Sequence, residues 1–558
     1  MIRPKAFLSV GLSLLLILSG CGSAGQAPIF PPENDTINAS EQQIGERLFV
    51  ETRFAEHFAV HMAGVNEPLV VGDPVVAQTQ TTNGPLPGPF AGESINCRSC
   101  HFVVEFQGVA GAGNRTYADF IDHSPLPLPM GNFTSTPRNS MQMVGSLQSR
   151  SGPTFLHFDG QFNSPADLVK TTLTGRNFGW GPTQTQQAIA HIAKVIREDN
   201  GMNIPAQEYG ENLPYSTIFL GTAAGIPADV QLAPQYRLDV STASDDQIVD
   251  LIAQLIAQYM AGLLFKQDQF GRYFASPYDV FLRINHLPVQ PKAGESIPQY
   301  NQRLLSLVSA LNNPTYVDGS YGQFQYHAQP FQFGATELAG LKIFLRAATN
   351  AVDDSQHAGN CAACHTAPNF TDFHFHNTGV TQEEYDAANG TGAFANLVIP
   401  TLAQRNQNFD QYMPVSALHP NASEQFRHHA VAGQPNFADL GLWNIYQNQD
   451  VPNPQADLQT VVCANPQNCT VDQGLPATIA QFKTPMLRDL EDSAPYFHNG
   501  SKLKFNDVVE FYVRSSALAR AGTLRNAPVE FQGMSLSDAD VAAVAAFLAS
   551  LTEDYDDA

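Results

Sequence analysis

The chain of 558 residues has few charged, cysteine and tryptophan residues. Only 15% of its residues are charged, seven are cysteine and two are tryptophan. Lysine and arginine together number 29 against 52 acidic residues, which gives a formal net charge of −23. A chain this acidic disfavours nucleic acid as a partner. Its negative charge serves either to attract a basic protein partner or only to keep the protein soluble.

Long apolar runs are absent after the N-terminal segment, so no membrane-spanning helix is expected in the rest of the chain. The alternation of apolar and polar residues that is typical of strands is scarce, and no internal repeat is present beyond one short cysteine motif. The hydrophobic fraction of 43% suffices for two or more buried cores in a chain of this length. We therefore expect an all-α fold with extensive loops.

The first twenty residues have the layout of a secretory signal. Arg3 and Lys5 form a short basic start, Ala6 to Leu18 is a mostly apolar run, and small residues precede Cys21. This order predicts export from the cytoplasm and removal of residues 1–20.

The segment from Leu18 to Cys21 resembles a bacterial lipobox. The resemblance implies cleavage before Cys21, a diacylglycerol on its sulfur, and a tether over residues 21–41 between the lipid and the folded body. Gly22 resembles the outer-membrane sorting pattern, so we expect a lipoprotein that faces the periplasm or the cell surface, anchored in the outer membrane. The alternative is an ordinary signal peptide with an incidental cysteine.

Two copies of the pattern Cys-x-x-Cys-His are the strongest chemical signal in the chain. They are formed by Cys97, Cys100 and His101, and by Cys361, Cys364 and His365. In this pattern two thiols add to the vinyl groups of one haem, and the adjacent imidazole is held beneath the iron. A zinc or redox C-x-x-C can precede a histidine by chance, but two copies in one exported chain favour two covalently bound haem c groups. His101 and His365 are then the proximal ligands.

The last two cysteines, Cys463 and Cys469, lie close together in a loop rich in proline, asparagine and glutamine. In an oxidising compartment such a pair is expected to form a structural disulfide. A metal site is not favoured there, because no histidine or further cysteine lies nearby.

The two haem motifs lie 264 residues apart, too far for one small multihaem module. We expect one mostly helical domain for each haem, over residues 42–335 and 336–558. Apolar spacing and capping signals predict helices at about 42–54, 183–198, 245–265, 297–311, 337–347 and 538–551. Ser244 with Gln247, and Ser537 with Asp540, form the capping boxes that begin two of these helices.

Further short motifs follow one another in a fixed order. They are Ile44–Phe49 (I-G-E-R-L-F), Thr136–Asn139 (T-P-R-N), Phe158–Gly160 (F-D-G), Ser276–Asp279 (S-P-Y-D), Phe375–Gly379 (F-H-N-T-G), Phe482–Arg488 (F-K-T-P-M-L-R) and Pro495–Gly500 (P-Y-F-H-N-G). Together with the haem motifs they resemble the bacterial di-haem cytochrome c peroxidase and MauG superfamily, from about residue 42 to the end. The resemblance implies two cytochrome c-like domains, and residues 200–335, apart from Ser276–Asp279, are a long and largely unmatched insert.

The resemblance also implies a calcium ion between the two domains. Asn139 is then the candidate side-chain ligand, with backbone carbonyls near Thr484 and Pro485. The alternative role for Asn139 is to cap a turn.

The sixth ligand of the C-terminal haem is a methionine in the peroxidases of this superfamily and a tyrosine in MauG-type members. Tyr512 falls at that position, and a tyrosinate would stabilise ferric and higher iron states. In the alternative interpretation Tyr512 is a core aromatic residue, and Met534 or no side chain is the ligand.

In the superfamily the N-terminal haem reacts with peroxide, and the C-terminal haem stores or relays an oxidising equivalent. The tryptophan expected beside D-G is Phe158 here, so Trp180 is the candidate relay or pocket residue, unless it only packs in a core. His123 and His157 are candidates for the peroxide pocket or for a removable sixth ligand, although an isolated histidine is more often structural. His498 is expected to support a haem edge.

The function implied by the resemblance is reduction of hydrogen peroxide with electrons from a small c-type cytochrome or a similar donor. Phe158, Tyr512 and the long insert favour a rival, namely a MauG-like oxidase or a di-haem oxygenase that acts on a protein or an apolar organic substrate. A second rival is a di-haem electron carrier without catalysis.

Overall fold

A computed structural model describes residues 39–74, 94–101, 136–148, 150, 152–347, 357–463, 469–491 and 493–554, together with the backbone of four short strands between residues 80 and 135. Its helices are α1 Ser40–Phe49, α2 Glu56–His61, α3 Pro165–Leu173, α4 Thr185–Glu198, α5 Ile204–Tyr209, α6 Tyr215–Leu220, α7 Asp245–Gly262, α8 Pro277–Ile284, α9 Ile297–Ser309, α10 Ala335–Leu345, α11 Val380–Asn389, α12 Leu402–Gln407, α13 Phe409–Tyr412, α14 Gln455–Val462, α15 Val471–Ala477, α16 Phe505–Arg520 and α17 Asp538–Ala549. The predicted all-α class is confirmed.

Strands occur in the described part of the chain only as two-stranded antiparallel ribbons. They are β1 Gln80–Thr81 with β2 Gly84–Pro85, β3 Pro125–Met130 with β4 Phe133–Ser135, and β5 Phe375–His376 with β6 Phe482–Lys483. The last ribbon pairs Phe375 with Lys483 and joins the F-H-N-T-G and F-K-T-P-M-L-R motifs.

The N-terminal core forms around α7, against which α1, α3 and α4 pack. The apolar positions of α7 recur at helical spacing, so one broad face is buried. Gly45 permits the closest approach, because a Cβ atom there would lie 2.2 Å from the backbone oxygen of Leu255 on α7.

A second core contains α8, α9, α10 and α17. Gly340 of α10 faces α17 so closely that a Cβ atom would lie 1.9 Å from the carbonyl oxygen of Ala543. Residues between 278 and 333, which the sequence division assigns to the N-terminal domain, contribute to this second core. The division at residue 335 itself stays a prediction.

A third core covers residues 375–480, between the two sequence segments that form the second core, and also takes in Phe155 from the N-terminal half. Trp443 and Tyr446 are fully buried at its centre. A disulfide joins Cys463 to Cys469 at the end of α14. This core therefore tethers a segment of the C-terminal half to the N-terminal half.

The six helices predicted from sequence correspond to α1, α4, α7, α9, α10 and α17, with ends that differ by a few residues. The predicted first helix is shorter, since α1 ends at Phe49 and a separate 3-10 turn covers Thr52–Phe54. Both predicted capping boxes are present. Within the described ranges, none of the helices combines the length and the apolar character needed to cross a bilayer.

Candidate functional site

The first haem motif begins on a 3-10 turn, Cys97–Ser99. The side chain of Asn96 caps this turn, its oxygen accepting from the Ser99 backbone N–H at 3.0 Å. The Nδ1 atom of His101 lies 2.9 Å from the carbonyl oxygen of Met141 and donates to it. This bond fixes the ring and leaves Nε2 as the nitrogen that can bind iron. Burial lowers the pKa of His101 to about 4, which keeps the imidazole in its neutral, metal-binding form.

The second motif repeats this arrangement. Its 3-10 turn covers Cys361–Ala363, and Nδ1 of His365 donates to the carbonyl oxygen of Phe370 at 3.0 Å. Burial lowers the pKa of His365 as well. Both pairs of motif cysteines are free of disulfides. Two thiols outside any disulfide, followed by an oriented neutral imidazole, are the donor set that covalent haem c requires, so the residues fit the group at both sites.

The F-H-N-T-G motif lies against the second haem motif. The ligand atoms of Cys364, Asp372 and His376 all lie within 4.8 Å of one another, and His376 Nε2 is 2.7 Å from the Asp372 carboxylate. Burial opposes protonation of His376, but hydrogen bonds to Asp372 and Cys364 raise its pKa to about 10. His376, paired with the Asp372 carboxylate, therefore borders the cysteine that would carry the haem thioether.

Tyr512 lies on α16 within electrostatic range of the second motif. Burial is the main cause that raises the pKa of its phenol well above the ordinary value. Its ring centroid is 5.8 Å from that of Phe531, whose carbonyl oxygen accepts from the N–H of Met534. Both Tyr512 and buried Met534 are thus near the motif, and the choice of sixth ligand stays a prediction.

His157 adopts a left-handed backbone conformation, with φ of 62°, which is rare for a residue with a side chain. Its Nδ1 atom is 3.3 Å from the side-chain oxygen of Gln161, and that same oxygen accepts from Arg427 at 2.8 Å. Because the amide oxygen can only accept, Nδ1 carries the proton and Nε2 keeps its lone pair. Burial is the main cause that lowers the pKa of His157 to about 4; Asp159 opposes the shift and the charge of Arg427 adds to it.

A buried charged network, which sequence reasoning did not identify, surrounds His157. Arg138 of the T-P-R-N motif contacts Asp159 of the F-D-G motif at 2.5 Å and Asp439 at 2.5 Å. Arg427 lies 3.4 Å from Asp159, and Arg176 forms a two-bond pair with Glu424. The motifs pointed to Arg138 and Asp159 as positions of interest, but residues 424–439 lie in no motif and gave no signal.

The remaining candidates, Trp180 and His498, each have aromatic or backbone contacts of their own. Trp180 is 4% exposed in the N-terminal core, where its indole N–H donates to the Phe54 carbonyl oxygen at 3.2 Å. Trp180 is therefore a packed core residue with a satisfied indole N–H. Its role as an electron relay stays a prediction. His498 stacks on Phe482 with ring centroids 3.5 Å apart and lies 6.3 Å from Phe158. His123, Cys21 and the signal segment lie outside the described residues.

Asn139 lies at the contact between the two halves. Its side-chain N–H donates to the carbonyl oxygen of Pro495 at 2.5 Å, and its backbone N–H donates to that of His498 at 2.7 Å. The side-chain oxygen is buried and has no hydrogen-bond partner. An unpaired buried amide oxygen is a fitting cation ligand, so the calcium assignment agrees with the local chemistry.

A cavity of about 240 Å³ borders the second haem motif. It is lined by the residues of β5 and by apolar residues of the third core, including Leu442, Val461 and Val462. His376, which contacts Cys364, forms part of its wall. His374 and Gln481 also line the cavity, so its wall combines apolar and polar side chains.

Comparisons with known proteins agree with these motifs. No family model matches the chain. Cytochrome-c peroxidase IdrP2 of Denitromonas iodatirespirans is 26% identical over 199 residues, which are 35% of this chain and 36% of that protein. The protein of the same name from Pseudomonas sp. (strain SCT) is 24% identical over 198 residues. The match spans about a third of the length of these relatives, and their names confirm the resemblance that the motifs predicted.

Two solved structures align with most of the chain at low similarity. A MauG-like protein associated with microbial copper homeostasis aligns over 95% of both chains, with 14% identity and a TM-score of 0.43. The diheme peroxidase BthA from Burkholderia thailandensis E264 aligns over 92% of this chain and 86% of its own, with 14% identity and a TM-score of 0.40.

Proposed function

We propose that this protein is a di-haem c-type oxidoreductase that reduces hydrogen peroxide with electrons from a small c-type cytochrome or a similar donor. The observation that carries the proposal is the pair of Cys-x-x-Cys-His turns, in each of which a backbone carbonyl orients the histidine. When bound, each haem supplies an iron centre for electron transfer, and one of them supplies the site at which peroxide is reduced.

The residues of the chain supply proton transfer and positioning. Nε2 of His157 can accept a proton from peroxide, because its Nδ1 is bound to Gln161 and its pKa keeps the ring neutral near pH 7. Arg427 holds Gln161 from the other side, which fixes the orientation of the imidazole. His123 and Trp180 remain further candidates for the peroxide pocket.

The proposal is tested by steady-state peroxide consumption of the purified holoprotein, supplied with reduced small cytochrome c. The assay is run on the protein as isolated and after one-electron reduction. Turnover in either state supports the peroxidase and shows whether reduction activates it. No turnover in both states, with two intact haem spectra, contradicts it.

A second candidate function is oxidation of a protein or a small apolar molecule, in the manner of an oxidase or oxygenase. Two observations favour it: Tyr512 near the second motif, and the cavity lined by β5 and the third core. A holoprotein that oxidises an added organic substrate faster than it consumes reduced cytochrome selects this function.

We expect the Tyr512→Phe substitution to change the absorption and electron paramagnetic resonance spectra of the ferric C-terminal haem, because the phenolate is lost as a ligand. The reduction potential of that haem should rise, since a tyrosinate favours the ferric state. Tyr385→Phe, which removes a hydroxyl bound to Pro435 in the third core, is the matched control. Spectra that are identical in wild type and Tyr512→Phe would assign the ligand elsewhere.

We propose further that Asn139 helps to bind one calcium ion between the two halves. Calcium at about 100 times its Kd should stabilise the wild-type protein by about 2.7 kcal/mol, because it binds only the folded state. Asn139→Ala should abolish this gain, as measured by unfolding with and without calcium. A gain of the same size in Asn139→Ala rules out the assignment.

We also propose export and attachment to the outer membrane through a lipid on Cys21. The support is the sequence from Leu18 to Cys21. Cys21→Ser should release the mature protein from the membrane fraction, which fractionation of expressing cells would show. Retention of the variant in that fraction would contradict a lipid anchor.

A further inference from the structure

In the described part of the chain, two basic side chains on segments near the haem motifs form no ion pair with a carboxylate. Four cationic side chains and two carboxylates lie buried or half-buried there: Arg138, Arg150, Arg427 and Lys483, with Asp159 and Asp439. Both carboxylates are engaged by Arg138, and Asp159 also by Arg427. Glu424, the other carboxylate that acts on Arg427, is paired with Arg176. Among the described residues, no carboxylate forms an ion pair with Arg150 or Lys483, although Asp159 is close enough to act on the charge of Lys483.

The guanidinium of Arg150 is held in place but not neutralised. It donates to the carbonyl oxygens of Ser146 at 2.5 Å and of Gln148 at 3.3 Å, and it stacks 3.8 Å from the ring centroid of Phe373. Its Nη1 atom is buried and has no hydrogen-bond partner. Burial without an acidic partner lowers the pKa of Arg150 to about 10. A buried donor of this kind is unfavourable unless an acceptor from outside the polypeptide meets it.

Lys483 is 7% exposed, and its ammonium donates to the carbonyl oxygen of Phe155 at 2.9 Å. An ammonium has three N–H donors, and this is the one hydrogen bond that the structure gives it. Burial and the positive charge of Arg150 lower the pKa of Lys483 to about 7, and the charge of Asp159 opposes this shift. Two neighbouring basic groups with unused N–H donors, neither of them ion-paired with a carboxylate, form a candidate site for an anion.

The positions of Arg150 and Lys483 in the chain indicate which anion they bind. Arg150 follows Met141, the residue that orients His101, by nine positions. Lys483 pairs with Phe375 in the β5–β6 ribbon, and the backbone of Pro485, two residues later, contacts His365. Phe373, on which Arg150 stacks, lies in the loop after the second haem motif. Both side chains therefore lie on segments that border the two proximal histidines.

We propose that Arg150 and Lys483 bind a haem propionate at the boundary between the two haem domains. The inference rests on the proposed di-haem function, because the anion is a carboxylate of the bound haem. Each haem carries two propionates, and a guanidinium can hold one through two parallel hydrogen bonds while an ammonium adds a point charge. Covalent attachment of the haem would fix such a carboxylate in place, unlike a free anion from solution.

The test uses the full-length holoprotein with its propionate carboxyl carbons labelled through 13C-labelled aminolaevulinate. Isotope-edited infrared spectra then report the carboxylate stretching bands of the haems alone. We expect these bands to shift in Lys483→Met and in Arg150→Met, and to shift less in Lys483→Arg, which keeps the charge. Lys170→Met is the control, since it removes a surface cation that is paired with Asp250.

Separate reduction potentials of the two haems identify the haem that supplies the propionate, because loss of the cation should lower the potential of that haem most. Unchanged labelled bands in both methionine variants, at full haem content, overturn the inference. If a free anion from solution, rather than a propionate, occupies this site, the labelled propionate bands should also stay unchanged in both variants. If Lys483→Met does not accumulate, Arg150→Met decides alone, since Arg150 is only half-buried. Absence of haem from the wild-type protein would instead refute the proposed function.

Discussion

The Arg138→Met variant should lose about 3–5 kcal/mol of unfolding free energy, because two buried carboxylates are left with too little positive charge. Asp159 and Asp439 lie in separate halves of the chain, and Arg138 contacts both at 2.5 Å. Arg427, at 3.4 Å from Asp159, compensates only part of the loss. Urea unfolding of the holoprotein, followed by circular dichroism, measures the change.

The pH dependence of this loss has a defined sign. Arg138 lowers the pKa of Asp159 and of Asp439 below the ordinary value of about 3.9, despite their burial. A carboxylate with a lowered pKa stabilises the fold fully above its unfolded pKa, and this stabilisation fades as pH falls toward the folded pKa. The difference between wild type and Arg138→Met should therefore be full at pH 7 and smaller at pH 3.

Arg514→Met serves as the matched control for Arg138→Met. Arg514 is an exposed residue that lies 3.2 Å from Glu383, so its loss should cost less than about 1 kcal/mol. Equal losses in the two variants would show that the buried network adds no more stability than a surface ion pair does.

Helices with strong local signals were predictable from the sequence, and the reason is visible in α7. Ser244 and Gln247 cap its start, and its apolar residues repeat at helical spacing, so local preference and burial agree. The third core was not predicted, since its helices α12 to α15 are eight residues or shorter and carry little periodic signal. Tertiary packing around Trp443, rather than local preference, holds these short helices.

The candidate site likewise has features that the sequence predicts and contacts that it does not. The haem motifs are contiguous in sequence, so spacing alone located them. Met141 and Phe370 orient the two motif histidines through their backbone oxygens. Every residue type has such an oxygen, so the sequence alone does not identify these two partners. Asp439 reaches Arg138 only because the third core folds against the N-terminal half, 301 residues away in sequence. Contacts of this kind require the three-dimensional structure.

His157→Gln should lower kcat/KM for peroxide by about 10²–10⁴-fold, the usual contribution of a general base. Glutamine keeps similar bulk and polarity but cannot accept a proton at neutral pH. His61→Gln, an exposed substitution on α2, is the control and should leave the rate unchanged. Both haem spectra should stay intact, which would separate loss of proton transfer from loss of haem. A rate within a factor of two of wild type would remove His157 from the mechanism.

The pH profile tests the same role independently of the substitution. Because burial and the charge of Arg427 lower the pKa of His157 to about 4, the neutral base should predominate at every pH well above that value. The contribution of His157 to wild-type turnover should therefore be constant between pH 5 and pH 8 and fall as pH drops through about 4. Arg427→Leu removes the nearby positive charge, so the acid limb should move upward, toward the ordinary histidine pKa of about 6.5. An acid limb that stays in place in Arg427→Leu would mean that a group other than His157 controls it.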